Sequence, residues 1–243
     1  MENSSVCLIC GSKYITKNSK GKFTCKSCNT SYIIPKKENT AASIYESSVQ
    51  SILEINSVLG SDELSGTGIV ISEKGYVITS AHIIVGNGES SDKVKNYCDS
   101  ITAKRASKRS DFELEPIYVD EKSDIALLYS KHASGISPIK TAKSGAKTGE
   151  RICVIGNSKG EGLCIIDGIV SDNQRTINSR NFIMISAPVT TGCSGGPVFN
   201  SDGEMIGMVS CGREGTVAMN YAISSSTISS FLDEAVKANN LTL

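Results

Sequence analysis

Most of the chain alternates between short apolar runs and short polar breaks. Between residues 49 and 222 the runs are rich in β-branched and aromatic residues, and the breaks are rich in Gly, Ser, Asn and Asp. Many short strands without intervening helices are typical of a β-barrel or a β-sandwich, and they exclude an alternating βαβ fold. The predicted strands cover residues 49–55, 67–72, 76–80, 113–119, 125–130, 151–155, 162–170, 182–186, 197–199, 204–210 and 217–222.

The C-terminal segment follows a different period. Apolar residues recur there at spacings of three and four positions, after a serine-rich start that can cap a helix. The pattern therefore predicts one C-terminal helix over about residues 226–238, packed on the preceding strands. The residues of its apolar face are Ile228, Phe231, Leu232, Ala235 and Val236.

Four cysteines near the N-terminus form two C-x-x-C pairs, Cys7 with Cys10 and Cys25 with Cys28, separated by fourteen residues. Two such pairs can wrap one tetrahedral zinc ion in a small zinc ribbon. Redox C-x-x-C motifs are the alternative, but they normally stand alone beside a βαβ pattern, which this sequence lacks. The predicted parts of the chain are a structural zinc ribbon at 1–37, a linker at 38–42 and a second domain at 43–243.

Composition is that of a soluble globular protein, with 39% hydrophobic and 21% charged residues. No apolar run approaches the roughly 20 residues that span a bilayer, and the first residues lack the basic and apolar regions of a secretory signal. The five cysteines outside the two pairs are scattered, which indicates free thiols rather than a disulfide framework. We therefore expect a cytoplasmic protein with no membrane association.

The charge is unevenly divided along the 243 residues, although the formal net charge is +0. Residues 1–37 contain seven lysines and one acid, hence +6, and the remaining eighteen basic and twenty-four acidic residues give −6. A basic module can recruit nucleic acid or an acidic protein, whereas exposed lysines can also serve solubility alone. A binding module is therefore the alternative to an enzyme at this stage.

The segment 191–197 places Ser194 between glycines on both sides. Glycine lets the backbone turn sharply and approach a substrate closely, so the Ser194 hydroxyl can be exposed beside N–H groups that point inward. Such a loop is a candidate site of acyl transfer. The alternative is a hairpin turn whose serine bonds only its own backbone.

A serine nucleophile needs a base, and the chain has two histidines. His82 ends an apolar run that predicts a strand, where a rigid element can hold it, whereas His132 lies in a polar connection. A third member would be an acid that orients the imidazole. Asp124 precedes the apolar run 125–129, and a carboxylate at the entrance of a buried strand is costly unless it is paired.

Three motifs occur in the His, Asp, Ser order of chymotrypsin-fold proteases: T-S-A-H ending at His82, S-D-I-A-L around Asp124 and G-C-S-G-G-P around Ser194. From about residue 43 to the final helix, the chain therefore resembles the Deg/HtrA branch of these proteases, without the PDZ domains that often follow there. The further matches to that branch are G-T-G-I-V-I from Gly66, V-I-G-N from Val154, D-G-I-V-S from Asp167 and G-E-M-I-G from Gly203.

The resemblance implies a serine endopeptidase in which Ser194 attacks the peptide carbonyl, His82 acts as general base and Asp124 orients His82. It implies that the backbone N–H groups of Gly192 and Ser194 form the oxyanion hole, and that catalysis needs no cofactor. The implied fold is all-β, a chymotrypsin-like double six-stranded β-barrel with a first barrel at about 43–133, a second at about 134–224 and a C-terminal helix.

The resemblance also indicates how a protein or peptide substrate binds. No acid stands at Pro188, the position of the pocket floor, so we predict cleavage after small or medium aliphatic residues rather than after Lys or Arg. The implied pocket residues are Pro188, Val189 and Thr190 before the nucleophile, and Ser210, Cys211 and Gly212 in the strand that pairs with the substrate backbone.

One position departs from the family. Cys193 stands where digestive relatives have Asp and Deg/HtrA relatives usually have Asn, so a newly cut N-terminus has no salt-bridge partner at this loop. The loop must then be ordered by its own packing or by a bound regulatory partner, and the resemblance to the Deg/HtrA branch favours gating by a partner or substrate. Cys193 is not the nucleophile, because G-G-P follows Ser194 directly. Cys193 and Cys211 are either oxidation-sensitive thiols near the site or small apolar fillers.

Overall fold

The computed structural model describes residues 6–19, 22–33, 39–85, 98–108, 110–212 and 218–243, with the backbone alone at 211 and 212. The chain divides into two units, Met1–Glu38 and Asn39–Leu243. Residues 34–38, where the predicted ribbon ends and the predicted linker begins, lie outside the described residues.

The described part of the first unit is a small antiparallel sheet. Its strands are β1 (Ile15–Lys17), β2 (Lys22–Cys25) and β3 (Ser31–Ile33), in the order β1-β2-β3. The rings of Phe23 and Tyr32 stack across β2 and β3 with their centroids 5.8 Å apart. Cys7 and Cys25 are buried, so the small core of this unit lies between the sheet and these cysteines.

The second unit begins with a short helix, α1 (Ala41–Ser48), whose first residues lie in the predicted linker. Thr40 caps it, since Oγ1 accepts a hydrogen bond of 3.2 Å from the N–H of Ser43. An antiparallel sheet follows, in the order β8-β7-β4-β5-β6-β10-β9. Its strands are β4 (Ile52–Leu59), β5 (Asp62–Val70), β6 (Tyr76–Thr79), β7 (Ser100–Arg105), β8 (Phe112–Glu113), β9 (Glu115–Asp120) and β10 (Ile125–Tyr129).

Within the described residues this sheet has seven strands, which corrects the prediction of six. The extra strand arises because the run 112–120 is interrupted at Leu114, whose N–H turns to the carbonyl of Ile101. The part before Leu114 pairs with β7 and the part after it pairs with β10. The two edge strands of the sheet, β8 and β9, therefore follow each other directly along the chain.

The second sheet is a closed barrel in the order β11-β12-β13-β16-β15-β14. Each pairing is antiparallel, and the residues that face inward are mainly Val, Ile and Ala. The all-β prediction with a closed six-stranded second barrel is thereby confirmed. Its strands are β11 (Arg151–Asn157), β12 (Leu163–Ile177), β13 (Arg180–Ile185), β14 (Pro197–Asn200), β15 (Met205–Gly212) and β16 (Asn220–Ser224).

The predicted C-terminal helix is α2 (Ser225–Asn239). Ser224 caps it by accepting a hydrogen bond of 3.2 Å at Oγ from the N–H of Thr227, and Asn240 ends it in the left-handed region at φ 50°. Ile228 and Phe231 are buried in an apolar cluster that also contains residues of both sheets. The helix and the facing sheets therefore share one core. No helix in the described part of the chain has the length and apolarity to cross a bilayer.

The candidate site residues lie in these strands or in the short connections next to them. His82 follows β6, and Asp124 immediately precedes β10, which pairs with β6. Ser194 lies in the loop before β14, and Ser210 lies in β15, which pairs with β14. Residues far apart in sequence are therefore brought together by rigid elements rather than by free loops.

Candidate active site

His82 is held by one turn of 3-10 helix, Ala81–Ile83, that follows β6. Ala81 and Ile83 on either side are buried, whereas the side chain of His82 is 44% exposed. The backbone N–H of His82 donates to Oδ1 of Asp124 at 3.0 Å. The apolar neighbours thus anchor the turn in the core and leave the imidazole at the surface of the site.

Asp124 contacts the imidazole of His82 through both carboxylate oxygens. Nδ1 of His82 lies 2.9 Å from Oδ1 and 3.0 Å from Oδ2. Because an ionised carboxylate only accepts hydrogen bonds, Nδ1 must carry the proton, and Nε2 of the neutral ring is left as an acceptor. This is the tautomer in which a histidine can take a proton from a hydroxyl.

The carboxylate of Asp124 is buried, with 6% of the residue exposed, and it has a third donor. The hydroxyl of Ser210 donates to Oδ2 at 2.5 Å. Burial alone would raise the pKa of Asp124, but the hydrogen bonds from His82 and Ser210, with the positive charge that His82 carries when protonated, outweigh it and hold the pKa below its ordinary value. Asp124 therefore stays ionised at neutral pH although it lies inside the protein.

Ser194 is half-buried, and its hydroxyl donates a hydrogen bond of 3.1 Å to the carbonyl of Ser210. Among the residues that the structure describes, no hydrogen bond joins Oγ of Ser194 to Nε2 of His82. Ser210 thus contacts both Asp124, through its hydroxyl, and Ser194, through its carbonyl. A rotation of the Ser194 side chain away from Ser210 is needed before it can donate to an imidazole.

The backbone of the 190–195 loop is fixed by hydrogen bonds to its carbonyl groups. In a trans peptide the C=O and the N–H point in opposite directions. With the carbonyls of Thr191 and Cys193 bonded, the N–H groups of Gly192 and Ser194 point away from those donors, and within the described part of the chain neither has an acceptor. The bonds are Cys193 N–H to Thr190 O (3.0 Å), Lys159 N–H to Thr191 O (2.7 Å), Thr67 Oγ1 to Gly192 O (2.7 Å), Gly196 N–H to Cys193 O (2.9 Å) and Thr67 N–H to Ser194 O (2.8 Å).

Gly192 and Gly195 cannot be replaced without strain. Both have positive φ, 90° and 83°. A Cβ at Gly192 would collide with the carbonyl oxygen of Asn157, and a Cβ at Gly195 with that of Thr67. The glycines of this segment therefore allow the loop to lie directly against the neighbouring strands.

Cys193 is fully buried and packs against Gly156. Burial raises the pKa of its thiol, with a further contribution from the nearby Cys164. A neutral, inaccessible thiol is a weak nucleophile, which favours the filler interpretation of Cys193. The side chain of Cys211 lies outside the described residues.

The predicted pocket residues fall into two groups. Pro188 and Thr190 are exposed and Val189 is half-buried, in the segment that leads to Ser194. This segment is tethered, since Nδ2 of the buried Asn220 donates to the carbonyl of Ala187 at 2.7 Å. The second group is Ser210, Cys211 and Gly212 in β15.

Residues 66–208 match the family model described as the trypsin-like peptidase domain. The chain belongs to the trypsin-like peptidase family. This range contains His82, Asp124 and Ser194, and it covers more than half of the chain. The prediction of a serine peptidase is thereby confirmed at the level of the family.

The most similar curated members of the trypsin-like peptidase family include HtrA and DegP proteases. The chain is 33% identical over 147 residues to a probable periplasmic serine endoprotease, DegP-like, from Pseudomonas fulva, covering 59% of this chain and 28% of that protein. It is 32% identical over 182 residues to a probable periplasmic serine protease, do/HhoA-like, from Haemophilus influenzae, covering 71% of this chain and 36% of that protein. The chain thus spans about a third of the length of these relatives.

Solved structures of trypsin-like peptidases share the fold. A serine endoprotease from Yersinia pestis superimposes with a TM-score of 0.69 at 20% identity, covering 84% of this chain and 68% of that chain. A protease from M. tuberculosis in its active form gives a TM-score of 0.68 at 21% identity, covering 87% of this chain and 92% of that chain. The predicted chymotrypsin-like fold is confirmed.

The prediction of a cytoplasmic protein is wrong by the same comparison, because the Pseudomonas and Haemophilus relatives are named periplasmic. That prediction rested on the first residues of the chain and on its scattered cysteines. Neither feature reports on the compartment: cysteines that ligate a metal or lie buried in a core need no reducing solvent.

Two residues of this peptidase site have contacts that are not predicted from the sequence. Ser210 is predicted only as a pocket residue, yet its hydroxyl supports Asp124. Thr67 is predicted only as the first residue of a strand and the middle residue of G-T-G, yet it bonds to both Gly192 and Ser194. Gly66 and Gly68, on either side of Thr67, could have indicated these contacts, because glycine in a strand often marks a place where another backbone approaches closely.

The four cysteines of the first unit form a cluster whose geometry suits one tetrahedral ion. Their Sγ atoms all lie within 4.8 Å of one another, with Cys7 and Cys28 at 3.8 Å and Cys10 and Cys25 at 3.7 Å. Zinc with Zn–S bonds of about 2.3 Å places its sulfurs about 3.8 Å apart. Backbone N–H groups also point at two of the sulfurs, from Ile9 to Cys7 and from Ser27 to Cys25, each at 3.4 Å.

Proposed function

We propose that this trypsin-like peptidase is a serine endopeptidase with Ser194 as nucleophile, His82 as general base and Asp124 as the residue that orients His82. The observation that carries the proposal is the contact of Nδ1 of His82 with both oxygens of Asp124, at 2.9 and 3.0 Å. A buried carboxylate that accepts from an exposed imidazole has no evident structural use at the surface of a barrel. It is the arrangement that a histidine base requires.

The reaction begins when the Ser194 side chain rotates from the carbonyl of Ser210 to Nε2 of His82. His82 then removes the hydroxyl proton as Oγ attacks the peptide carbonyl, and the resulting imidazolium is stabilised by Asp124. His82 next donates the proton to the leaving amine. A water molecule, deprotonated by His82, finally releases the acyl group from Ser194.

The oxyanion of the tetrahedral intermediate would be held by the N–H groups of Gly192 and Ser194. Support comes from the carbonyl bonds of the 190–195 loop, which turn these two N–H groups away from the donors and leave both without an acceptor among the described residues. Donors in such a position are worth about 10²–10³ in rate each. Because they are fixed before substrate arrives, no reorganisation is needed during the reaction.

The substrate class is a protein or peptide cleaved after a small or medium aliphatic residue. Pro188, Val189 and Thr190 carry no charge, and Asn220 binds the carbonyl at the start of their segment. An aliphatic side chain needs no counter-charge in such a pocket, whereas Lys or Arg would be left unpaired.

The loop is proposed to be ordered by its own packing rather than by the bound partner that the resemblance favours. The carbonyls of residues 190–194 find their donors within the second unit itself. A substrate or regulatory partner would then control one remaining step, the rotation of the Ser194 side chain.

The first unit is proposed to be a structural or recruitment module that holds one zinc ion. Cys7, Cys10, Cys25 and Cys28 would ligate it as thiolates, and the ion would stabilise the small sheet without taking part in hydrolysis. Its exposed lysines give it a basic surface, which suits an acidic protein partner better than sequence-specific nucleic acid, since no known reading motif accompanies it.

A peptide-cleavage assay tests the proposed function. Wild-type chain, Ser194→Ala, His82→Ala and His132→Ala are incubated with a peptide library, and the cleavage products are identified by mass spectrometry. His132 is the matched control, because it is exposed and packs against Phe112 with ring centroids 5.9 Å apart. We expect cleavage by the wild type and His132→Ala alone, after aliphatic residues. Cleavage that persists in Ser194→Ala would refute Ser194 as the nucleophile. Cleavage mainly after Lys and Arg would refute the predicted aliphatic preference.

A further inference from the structure

Thr67 connects the first barrel to the 190–195 loop of the second barrel through its backbone and its side chain. It lies in β5 and is fully buried. Its N–H donates to the carbonyl of Ser194 at 2.8 Å, and its hydroxyl donates to the carbonyl of Gly192 at 2.7 Å. Both residues whose N–H groups face the candidate oxyanion position are therefore bonded through their carbonyls to this one threonine.

The hydroxyl of Thr67 is used twice. It donates to Gly192 and accepts from the backbone N–H of Asn157 at 2.9 Å. The carbonyl of Thr67 accepts from Oγ1 of Thr79 at 2.7 Å. A hydroxyl placed between one carbonyl and one N–H has its direction fixed, because it can satisfy both only in one rotamer. Val has the same shape and could satisfy neither.

The residue at position 193 gives this contact its importance. An acid or amide there would tie the loop through its own side chain, but Cys193 is a buried neutral thiol packed against Gly156. The Gly192–Cys193 peptide is therefore held from outside the loop at its carbonyl and from within the loop at its N–H. Its carbonyl is bonded by Thr67, and its N–H by the carbonyl of Thr190.

We propose that Thr67 is a positioning residue for the oxyanion hole, whose hydroxyl and N–H fix the Gly192–Ser194 backbone so that two N–H groups point at the substrate. The inference rests on the proposed function and deepens it. Thr67 contacts neither substrate nor the attacking oxygen. Its loss therefore affects the transition state through the loop, and so affects kcat more than KM.

The test compares hydroxyl-bearing and hydroxyl-free residues of equal shape. Thr67 is compared with Thr67→Val, and Thr67→Ser with Thr67→Ala, so either pair isolates the hydroxyl if the other folds poorly. Each full-length variant is assayed for kcat and KM on a peptide substrate and for affinity to a peptide boronic acid, which mimics the tetrahedral intermediate. The folded fraction of each variant is measured by circular dichroism at the assay temperature.

Ser51→Ala is the matched control. The hydroxyl of Ser51 is also buried and also donates to a backbone carbonyl at 2.7 Å, but its acceptor is Ser137, away from the loop. Its removal costs a hydrogen bond of the same kind without touching residues 190–195.

We expect Thr67→Val and Thr67→Ala to lower kcat about 10- to 100-fold, with KM changed less than threefold and boronate affinity lowered in step with kcat. Thr67→Ser should stay within about threefold of the wild type, as should Ser51→Ala. Equal kcat in hydroxyl-free and hydroxyl-bearing variants overturns the role of Thr67 while the proposed function stands. A folded wild-type chain without turnover overturns the proposed function and this role with it.

Discussion

Ser210 donates a hydrogen bond of 2.5 Å to Oδ2 of Asp124, so that this carboxylate accepts from Ser210 and from two N–H groups of His82. The three donors explain how a carboxylate that is 6% exposed remains ionised. They also fix the plane of the carboxylate, which in turn fixes the imidazole. Asp124 is therefore the residue through which the protein sets the tautomer of His82.

Replacing Asp124 by Asn tests this role. The amide of the substituted side chain could present its NH₂ to Nδ1, which would favour the wrong tautomer, and it would not stabilise an imidazolium. We expect kcat for peptide hydrolysis at pH 7 to fall by about 10⁴. Asp233→Asn on the exposed face of α2 is the control and should leave kcat unchanged. A loss of less than tenfold in Asp124→Asn would contradict the assignment.

The lowered pKa of Asp124 also predicts how stability depends on pH. A carboxylate whose pKa is lower in the folded than in the unfolded chain stabilises the fold above its unfolded pKa of about 4, and this contribution is lost as the pH falls through the folded pKa. The difference in unfolding free energy between wild type and Asp124→Asn should therefore shrink below about pH 4. Urea titrations at pH 7, 4 and 3 measure it, and a difference that grows with acid would contradict the sign.

The sequence predicts those features that depend on local pattern or on motif order. Most of the short strands, the C-terminal helix and the order of His82, Asp124 and Ser194 could be predicted, but β7 (Ser100–Arg105) has no counterpart among the predicted strands. The contacts of Ser210 with Asp124 and of Thr67 with Gly192 could not, because they join residues 86 and 125 positions apart. Such contacts depend on strand register and barrel packing, which hydrophobic alternation alone does not determine.

Two local features of the first sheet could not be predicted from the hydrophobic pattern. Alternation across residues 113–119 predicts one strand, and it carries no signal that Leu114 turns its N–H to Ile101 and splits the run. The left-handed backbone of Asp124, at φ 59°, is likewise invisible in the sequence, although it aims the carboxylate at His82. Both are single-residue departures that tertiary contacts impose.

A Cβ at Gly192 should destroy the site. The residue has φ 90°, where a side chain costs about 1–3 kcal/mol, and the Cβ would also collide with the carbonyl of Asn157. We expect Gly192→Ala to lower kcat at least about 100-fold and to lower the melting temperature. Gly145→Ala is the control, since Gly145 is exposed with nothing within 4 Å of its Cβ position. Normal turnover in Gly192→Ala would refute the loop geometry.

Metal analysis tests the cysteine cluster. The full-length chain purified without chelator should contain one zinc ion per molecule, and Cys25→Ser with Cys28→Ser should contain none, because two ligands cannot hold the tetrahedral ion. Chelation should broaden or collapse the amide resonances of residues 6–33 in NMR spectra and leave those of the second unit in place. Cys164→Ser, outside the cluster, should retain the zinc. Zinc-free wild-type protein with an ordered first unit would contradict the proposal.

The most direct test of the account is the location of a covalent adduct. A fluorophosphonate reacts only with a serine that a neighbouring base activates. Wild-type chain, Ser194→Ala, His82→Ala and His132→Ala are treated at pH 7, digested and mapped by mass spectrometry. We expect one adduct per chain, on Ser194, in the wild type and His132→Ala, and none in Ser194→Ala or His82→Ala. An unlabelled wild-type protein, or an adduct on any other residue, would contradict it.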